Sequence, residues 1–288
     1  MKRSAIFMKH IARKIRLDDH QRFIRLVAVV ATVATVLMLS CVLGGEREYA
    51  AESQSAVRNP ILLELFTSEG CSSCPPADEW MQRLDAAQPI PSAEIIVLSE
   101  HVDYWDHDGW KDPYSSPQAT ERQREYVQAL GLKDSYTPQV ILDGTNVVQL
   151  NDRQQTEQAF QKSDVPAVVS VKIDSVSVEG GKPGVLKGHV EVAPTTEEHH
   201  GNVYVAVALD HATTKVLAGE NKGHDLSNVA IVEEIVKIGK LEKGKSFEHD
   251  FEVKLKPESD PANLRVIAFV QESSVGKVLG AAMEKDIH

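Results

Sequence analysis

Cysteine is scarce in this sequence, with three residues among 288. A small secreted protein that is held together by disulfides needs several bridges, so that class of protein is excluded. Cys41 lies in an apolar stretch near the beginning of the chain, whereas Cys71 and Cys74 form a close pair in its body. One such pair in a long chain is more typical of redox chemistry or metal binding than of a structural bridge.

Basic residues are also scarce, except at the beginning of the chain. The formal net charge is −11, and residues 1–45 contain eight Lys and Arg against two Asp, so they carry +6 and the remainder carries −17. Nucleic-acid backbones are bound through Lys and Arg, so this acidic body excludes a nucleic acid as partner. The sequence shows no internal repeat, and its length allows about two globular domains.

Long apolar runs are absent after residue 43, and the one before it follows a basic stretch. Residues 26–43 contain no charged side chain. This pattern is typical of a signal peptide or a signal anchor, although about 20 residues are needed to cross a bilayer. We therefore expect an exported protein, periplasmic or extracellular, in which residues 1–50 are signal or anchor and tether. Cleavage, lipidation and retention of this segment all remain open, and membrane contact is expected only through it.

Residues 57–165 alternate between buried strands and amphipathic helices. A strand–helix–strand unit is parallel, and the Asp143-Gly144 turn predicts an antiparallel hairpin. Together they predict an α/β thioredoxin-like domain, a mixed four-stranded sheet with helices. The landmarks are the apolar runs 61–66 and 95–98, a helix after Cys74, a helix capped by Ser116, strands on either side of the turn and a last helix capped by Asn151.

The pattern changes near Val165-Pro166. Beyond it, apolar residues alternate with period two, and Gly-rich and Pro-containing turns separate the segments. Short strands at such spacing predict an all-β sandwich domain of about seven strands over residues 166–288.

The sequence Cys71-Ser72-Ser73-Cys74 lies between a predicted strand and a predicted helix. A helix N-terminus stabilises a cysteine thiolate, which is the reactive form. The spacing allows Cys71 to attack a disulfide and Cys74 to resolve the mixed intermediate. Pro138 precedes the third strand, where the cis-proline of a thioredoxin-like site contacts the cysteine pair. We therefore predict Cys71, Cys74 and Pro138 as catalytic residues.

The second strand is predicted parallel to the first, so its carboxyl end lies at the same edge of the sheet as Cys71. This places an aromatic and acidic loop beside the cysteines, where His101 could carry a proton and the aromatic rings could form a wall for a peptide. The alternative is that the aromatic residues pack the loop down and the acids are solvated. The predicted substrate-binding residues are Thr137, His101, Asp103, Tyr104 and Trp105.

Glu64 lies on the first predicted strand. A buried ionisable group there could relay a proton to the resolving cysteine. A glutamate that faces solvent at a sheet edge is the alternative.

Several segments resemble the DUF1223 family, a set of secreted bacterial proteins of unknown function. The resemblance covers about residues 58–285 and implies a thioredoxin-like domain followed by a β domain, but it implies no activity. The segments that carry it are Leu63–Asp78 with the cysteine pair, His101–Asp106, Tyr136–Gln139 and, more loosely, Gly219-Glu220-Asn221.

Three functions remain open. The favoured one is an exported thiol–disulfide oxidoreductase that acts on protein or small-molecule disulfides and thiols, with no cofactor and no metal. A copper carrier that uses Cys71, Cys74 and His101 is the second, since thiolates and imidazole suit Cu(I). The third is a partner-binding protein in which the cysteines form a structural disulfide.

Overall fold

The computed structural model describes residues 58–181, 183–196 and 198–288. The predicted signal or anchor segment within residues 1–50 lies outside this range. Among the described residues, no helix combines the length and the apolar character needed to cross a membrane.

The described chain forms eleven strands and three α-helices. The strands are β1 (Asn59–Thr67), β2 (Ala93–His101), β3 (Gln139–Leu142), β4 (Asn146–Val148), β5 (Val171–Glu179), β6 (Val185–Val192), β7 (Gly201–Lys215), β8 (Asp225–Leu241), β9 (Phe247–Lys254), β10 (Leu264–Gln271) and β11 (Val278–Glu284). The helices are α1 (Pro75–Ala87), α2 (Pro117–Ala129) and α3 (Arg153–Ser163), and a short 3-10 helix covers Pro261–Asn263.

Local chemistry explains where the helices begin. Prolines occupy the first turns of α1 and α2, where their missing N–H is not needed. Ser116 caps α2 as predicted, because its hydroxyl oxygen accepts a hydrogen bond from Gln118 N at 3.1 Å. The cap of α3 is Asp152, which accepts from Gln155 N at 2.9 Å. The prediction of Asn151 was wrong by one residue.

Eight strands form one mixed sheet in the order β11-β10-β7-β8-β2-β1-β3-β4. Strand β1 is parallel to β2 and antiparallel to β3, which is antiparallel to β4. The mixed four-stranded arrangement predicted for β1–β4 is therefore present, as one end of a larger sheet. Strand β8 joins β2 through the pair Ser99 and Ile231, in parallel register.

The three-stranded sheet β5-β6-β9 packs on β7 and β10. Residues 166–288 thus supply seven strands in two packed layers, but the larger layer continues into β1–β4 instead of ending as a separate sandwich. The reason is that β7 buries both of its faces, so the sheet has no solvent-facing side there. Its two buried sets are Val203, Val205 and Val207 on one face, and Tyr204, Ala206 and Ala208 on the other.

The predicted domain boundary at residues 165 and 166 falls between α3 and β5. Strands on both sides of it share the eight-stranded sheet, and the described residues belong to one compact unit. A division into two independently folding domains stays a prediction.

The two faces of the β1–β4 region are covered by different helices. Ala77 and Met81 of α1 and Phe160 of α3 pack on the face that carries Leu63. Helix α2 packs on the opposite face, where Tyr126 meets Phe66. The turn between β1 and α1 is thus held at the carboxyl edge of β1, next to the end of the parallel strand β2.

Candidate functional site

Cys71 and Cys74 occupy the turn between β1 and α1, and their sulfur atoms lie within disulfide-bonding distance. Cys74 is the N-cap residue of α1, and its carbonyl accepts hydrogen bonds from Ala77 N at 2.8 Å and Asp78 N at 3.2 Å. The predicted placement at a helix N-terminus is confirmed. Both cysteines have 0% exposure, whereas Ser72 and Ser73 between them are exposed.

The surroundings of Cys71 bring together residues from three separate segments. Its sulfur lies 3.3 Å from Ser73 Oγ and 3.9 Å from the carbonyl oxygen of Thr137. The Thr137–Pro138 peptide bond is cis, as expected for Pro138. Trp105 Nε1 donates to Thr137 Oγ1 at 2.8 Å. The β1–α1 turn, the loop after β2 and the segment before β3 therefore meet at Cys71.

Asp103 and Tyr104 hold the loop after β2 onto α2. Asp103 Oδ1 accepts from Thr120 Oγ1 at 2.5 Å, and Tyr104 donates its hydroxyl hydrogen to Gln123 Oε1 at 3.2 Å. Burial raises the pKa of Tyr104. These contacts match the alternative in which the loop is packed down, and a substrate-binding role for the two residues stays a prediction.

His101 is buried at the end of β2, and its Nδ1 lies 2.7 Å from Asp112 Oδ2. Burial opposes a charge on the ring, but the carboxylate of Asp112 outweighs it and raises the pKa of His101. Burial likewise opposes the charge of Asp112, yet His101 and two backbone N–H donors lower the pKa of this carboxyl. Asp112 therefore orients the imidazole of His101 through Nδ1. Within the described part of the chain, His101 Nε2 is buried without a hydrogen-bond partner.

The copper-carrier alternative stays a prediction. The sulfur atoms of Cys71 and Cys74 lie within bonding distance of each other, and His101 Nδ1 contacts Asp112. Within the described ranges, no group of three or more His, Cys, Asp or Glu side chains is arranged to hold a metal ion.

Asp78 is a buried acid next to the cysteine pair that the sequence analysis missed. It lies one helical turn after Cys74 and is 7% exposed, and its Oδ1 accepts from Thr67 Oγ1 at 2.8 Å. Burial raises the pKa of Asp78 to about 7, partly offset by His101. The i, i+4 spacing from Cys74 was the signal that could have identified it.

Glu69 is a second buried acid at this edge. Burial raises its pKa, with Asp112 adding to the shift, while Trp110 Nε1 donates to Glu69 Oε2 at 3.1 Å. Glu69 N also donates to Asp112 Oδ2 at 2.8 Å. We refer to Glu69, Asp78, His101 and Asp112 as the buried ionisable cluster.

Glu64 is buried, so the predicted solvent-facing position at a sheet edge was wrong, whereas the predicted proton relay to the resolving cysteine stays a prediction. It is fully buried on a strand flanked by β2 and β3, so it does not face solvent at an edge. It shares a face with Leu62, opposite to the face that α1 covers, so it does not lie beneath the cysteine-bearing helix. Its Oε1 accepts from Arg122 Nε at 2.6 Å, and its Oε2 accepts from the Tyr126 hydroxyl.

The loop between β7 and β8 completes the site from the other end of the chain. Asn221 Nδ2 donates to the carbonyls of Glu69 at 2.8 Å and Cys71 at 3.0 Å. Glu220 Oε2 accepts from Ser72 N at 3.0 Å. No local sequence pattern predicts such a long-range contact, and only the family resemblance at Gly219-Glu220-Asn221 indicated that this segment matters.

One family profile, described as "Protein of unknown function (DUF1223)", matches residues 62–271. Protein AGR_C_4864 from Agrobacterium tumefaciens has a crystal structure that is 27% identical in sequence, with a TM-score of 0.56 over 77% of this chain and 92% of that one. Spo0M, a sporulation control protein from Bacillus subtilis, is 10% identical over 42% of this chain and 48% of that one, and its TM-score of 0.29 does not indicate a shared fold. No curated protein matches the sequence.

Proposed function

The chain belongs to the DUF1223 family, and since that family is described only as of unknown function, we propose a function from the site itself. The protein is an exported thiol–disulfide oxidoreductase on a thioredoxin-like fold, with Cys71 as the attacking and Cys74 as the resolving cysteine. The observation that carries the proposal is the position of Cys71. It lies in the turn that leads into α1, within disulfide-bonding distance of Cys74 and 3.9 Å from the carbonyl of the cis Thr137–Pro138 unit.

The strand arrangement supports the thioredoxin-like part of the proposal. The order β2-β1-β3-β4 combines a parallel β1–β2 pair with an antiparallel β3–β4 hairpin, and helices cover both faces. In such a sheet the carboxyl ends of the parallel strands and the segment before β3 meet at one edge, which is where a substrate can reach both Cys71 and Thr137.

The proposed exchange proceeds in two displacements. A thiolate of the substrate attacks the Cys71 sulfur, the Cys71–Cys74 bond breaks, and Cys74 leaves as a thiolate that takes up a proton. A second substrate thiolate then attacks the substrate sulfur of the mixed disulfide, and Cys71 leaves. Two electrons pass from the substrate dithiol to the cysteine pair, which becomes a dithiol. The same steps in reverse reduce a substrate disulfide.

The residues near Cys71 have separate proposed roles. The backbone of Thr137 and the ring of Trp105, joined by their 2.8 Å hydrogen bond, form the surface that receives the substrate chain. Pro138 fixes the backbone there. His101, Asp103 and Tyr104 are proposed to hold the loop that carries Trp105 in place and so to support this surface. The substrates are exported proteins or small disulfides and thiols, and export follows from residues 26–43.

Single cysteine variants of the full chain test the proposal. Cys71→Ser is expected to abolish disulfide exchange with a model peptide, because it removes the attacked sulfur. Cys74→Ser is expected to accumulate mixed disulfides, because the resolving thiol is missing. Cys41→Ser is the control and keeps the wild-type rate. Wild-type exchange rates in both Cys71→Ser and Cys74→Ser would contradict the proposal.

One observation favours a second candidate function, a partner-binding protein with a structural disulfide. Both cysteines are fully buried in the disulfide form, so a substrate thiolate must displace a neighbour to reach Cys71. A structural bridge resists reduction by glutathione, whereas an exchange site does not. Incubation with excess reduced glutathione, followed by mass analysis of the free thiols, distinguishes the two.

A further inference from the structure

Glu220 brings a negative charge to the cysteine turn from the loop between β7 and β8. Its Oε2 accepts from Ser72 N at 3.0 Å, and Ser72 N belongs to the peptide bond that follows Cys71. Covalent geometry then puts this carboxylate oxygen within about 8 Å of the Cys71 sulfur. Hydrogen bonds from Ser72 lower the pKa of Glu220, so the side chain is charged at neutral pH.

This contact opposes the stabilisation of a Cys71 thiolate. A thiolate is stabilised by hydrogen bonds from nearby backbone N–H groups and by positive charge, and the first turn of α1 offers few N–H groups because residues 75 and 76 are prolines. Glu220 occupies one of the N–H groups nearest to Cys71 and adds a like charge. Both effects disfavour the Cys71 thiolate relative to the thiol and the disulfide, neither of which is charged.

The loop that carries Glu220 is anchored rather than loosely placed. The side chain of Asn221 is buried and donates to two carbonyls of the cysteine turn, those of Glu69 and Cys71. Gly219 has a φ of +72°, and a Cβ at this position would lie 2.9 Å from Trp110 Cβ, so a glycine is needed for the close approach. The carboxylate of Glu220 is therefore held at a defined place.

We propose that Glu220 is a tuning residue that suppresses the Cys71 thiolate and shifts the Cys71–Cys74 pair towards the disulfide, with Asn221 positioning it. A role of Glu220 in regulating disulfide exchange rests on the function proposed above, whereas the effect of Glu220 on the Cys71 thiolate does not. The other ionisable groups at this edge are those of the buried ionisable cluster, and a substitution at Glu220 leaves their side chains in place.

The test is Glu220→Gln in the full chain with Cys41→Ser, because glutamine keeps an oxygen for Ser72 N and removes only the charge. The readout is the pH dependence of Cys71 alkylation in the reduced protein, followed by peptide mass analysis. At a pH below the wild-type midpoint of alkylation, the thiolate fraction of Cys71 is expected to be about three- to tenfold higher in Glu220→Gln than in the wild type. The same factor in the redox equilibrium raises the reduction potential by about 15 to 30 mV, measured where the thiolate predominates.

Two further variants separate charge from structure. Glu121→Gln removes an exposed carboxylate that pairs with Arg124 on α2, and it is expected to leave Cys71 alkylation unchanged. Asn221→Ala removes the side chain that anchors the loop, and it is expected to shift the pH dependence of Cys71 alkylation in the same direction as Glu220→Gln. The difference between Glu220→Gln and wild type is also expected to shrink in 1 M salt, where the screening length is about 3 Å.

An unchanged alkylation profile of Cys71 in Glu220→Gln would overturn the inference, as would a shift of equal size in Glu121→Gln. These outcomes are independent of the proposed function. If the wild type shows no exchange activity but the alkylation profile of Cys71 still shifts in Glu220→Gln, the oxidoreductase proposal is contradicted and the tuning role of Glu220 is retained.

Discussion

Replacing Asp78 with Asn changes the pH dependence of stability in a way that the structure specifies. Burial raises the pKa of Asp78 to about 7 in the folded protein, whereas an exposed aspartate in the unfolded chain titrates near 3.9. The folded state therefore keeps a proton that the unfolded state releases. The resulting stabilisation is fully present below about pH 4 and is lost as the pH rises through about 7.

The magnitude follows from the size of the shift. Three pKa units at 1.36 kcal/mol each correspond to about 4 kcal/mol at pH 8, as an upper bound. Asparagine has the shape of aspartate, does not ionise, and its Oδ1 can still accept the hydrogen bond that Thr67 Oγ1 donates at 2.8 Å. At pH 8 we therefore expect Asp78→Asn to raise the free energy of unfolding by about 2 to 4 kcal/mol. At pH 4 we expect no appreciable difference.

Urea unfolding of the oxidised protein at pH 4 and pH 8, followed by tryptophan fluorescence, measures this difference. Only the difference between variant and wild type is interpreted, because burial also raises the pKa of Glu69, and that of Asp143 to about 6. Asp108→Asn, on an exposed part of the loop after β2, is the control. An Asp78→Asn variant with the same stability change at both pH values, or one less stable than wild type at pH 8, would refute the reasoning.

Two further predictions concern residues that support the site. Arg122→Met removes the cation that pairs with the buried carboxylates of Glu64 and Glu100, so urea unfolding at pH 7 should show a loss of about 3 to 5 kcal/mol; a loss below about 1 kcal/mol would mean that the ion pair is not needed. Gly219→Ala forces a Cβ against Trp110 at a positive φ, and thermal unfolding should show a loss of about 1 to 2 kcal/mol; unchanged stability would show that the loop can move aside at no cost.

The parts of the fold that could be predicted are those encoded by neighbouring residues. The apolar runs in β1 and β2, the Asp143-Gly144 hairpin and the Ser116 cap each depend on a few consecutive side chains, and each is present. The cysteine pair at the start of α1 belongs to the same class. Such features need only the local chain to form.

Contacts between distant segments could not be predicted. The pairing of Ser99 with Ile231, which makes one sheet out of two expected ones, has no local signature in either strand. The same holds for Glu220 at Ser72, because a surface loop with a charged residue has no pattern that identifies its partner. The ion pair of Glu64 with Arg122 could not be predicted either, because the neighbours of Glu64 in the sequence do not reveal which face of β1 meets α2.

The reduction potential of the Cys71–Cys74 pair tests the central proposal most directly. The full chain with Cys41→Ser would be equilibrated in graded glutathione buffers, and the free thiols quantified by mass analysis. A value between about −120 and −270 mV, the range of disulfide exchange enzymes, is the predicted result. A value below about −300 mV would identify a structural bridge and contradict the assignment of exchange chemistry to this site.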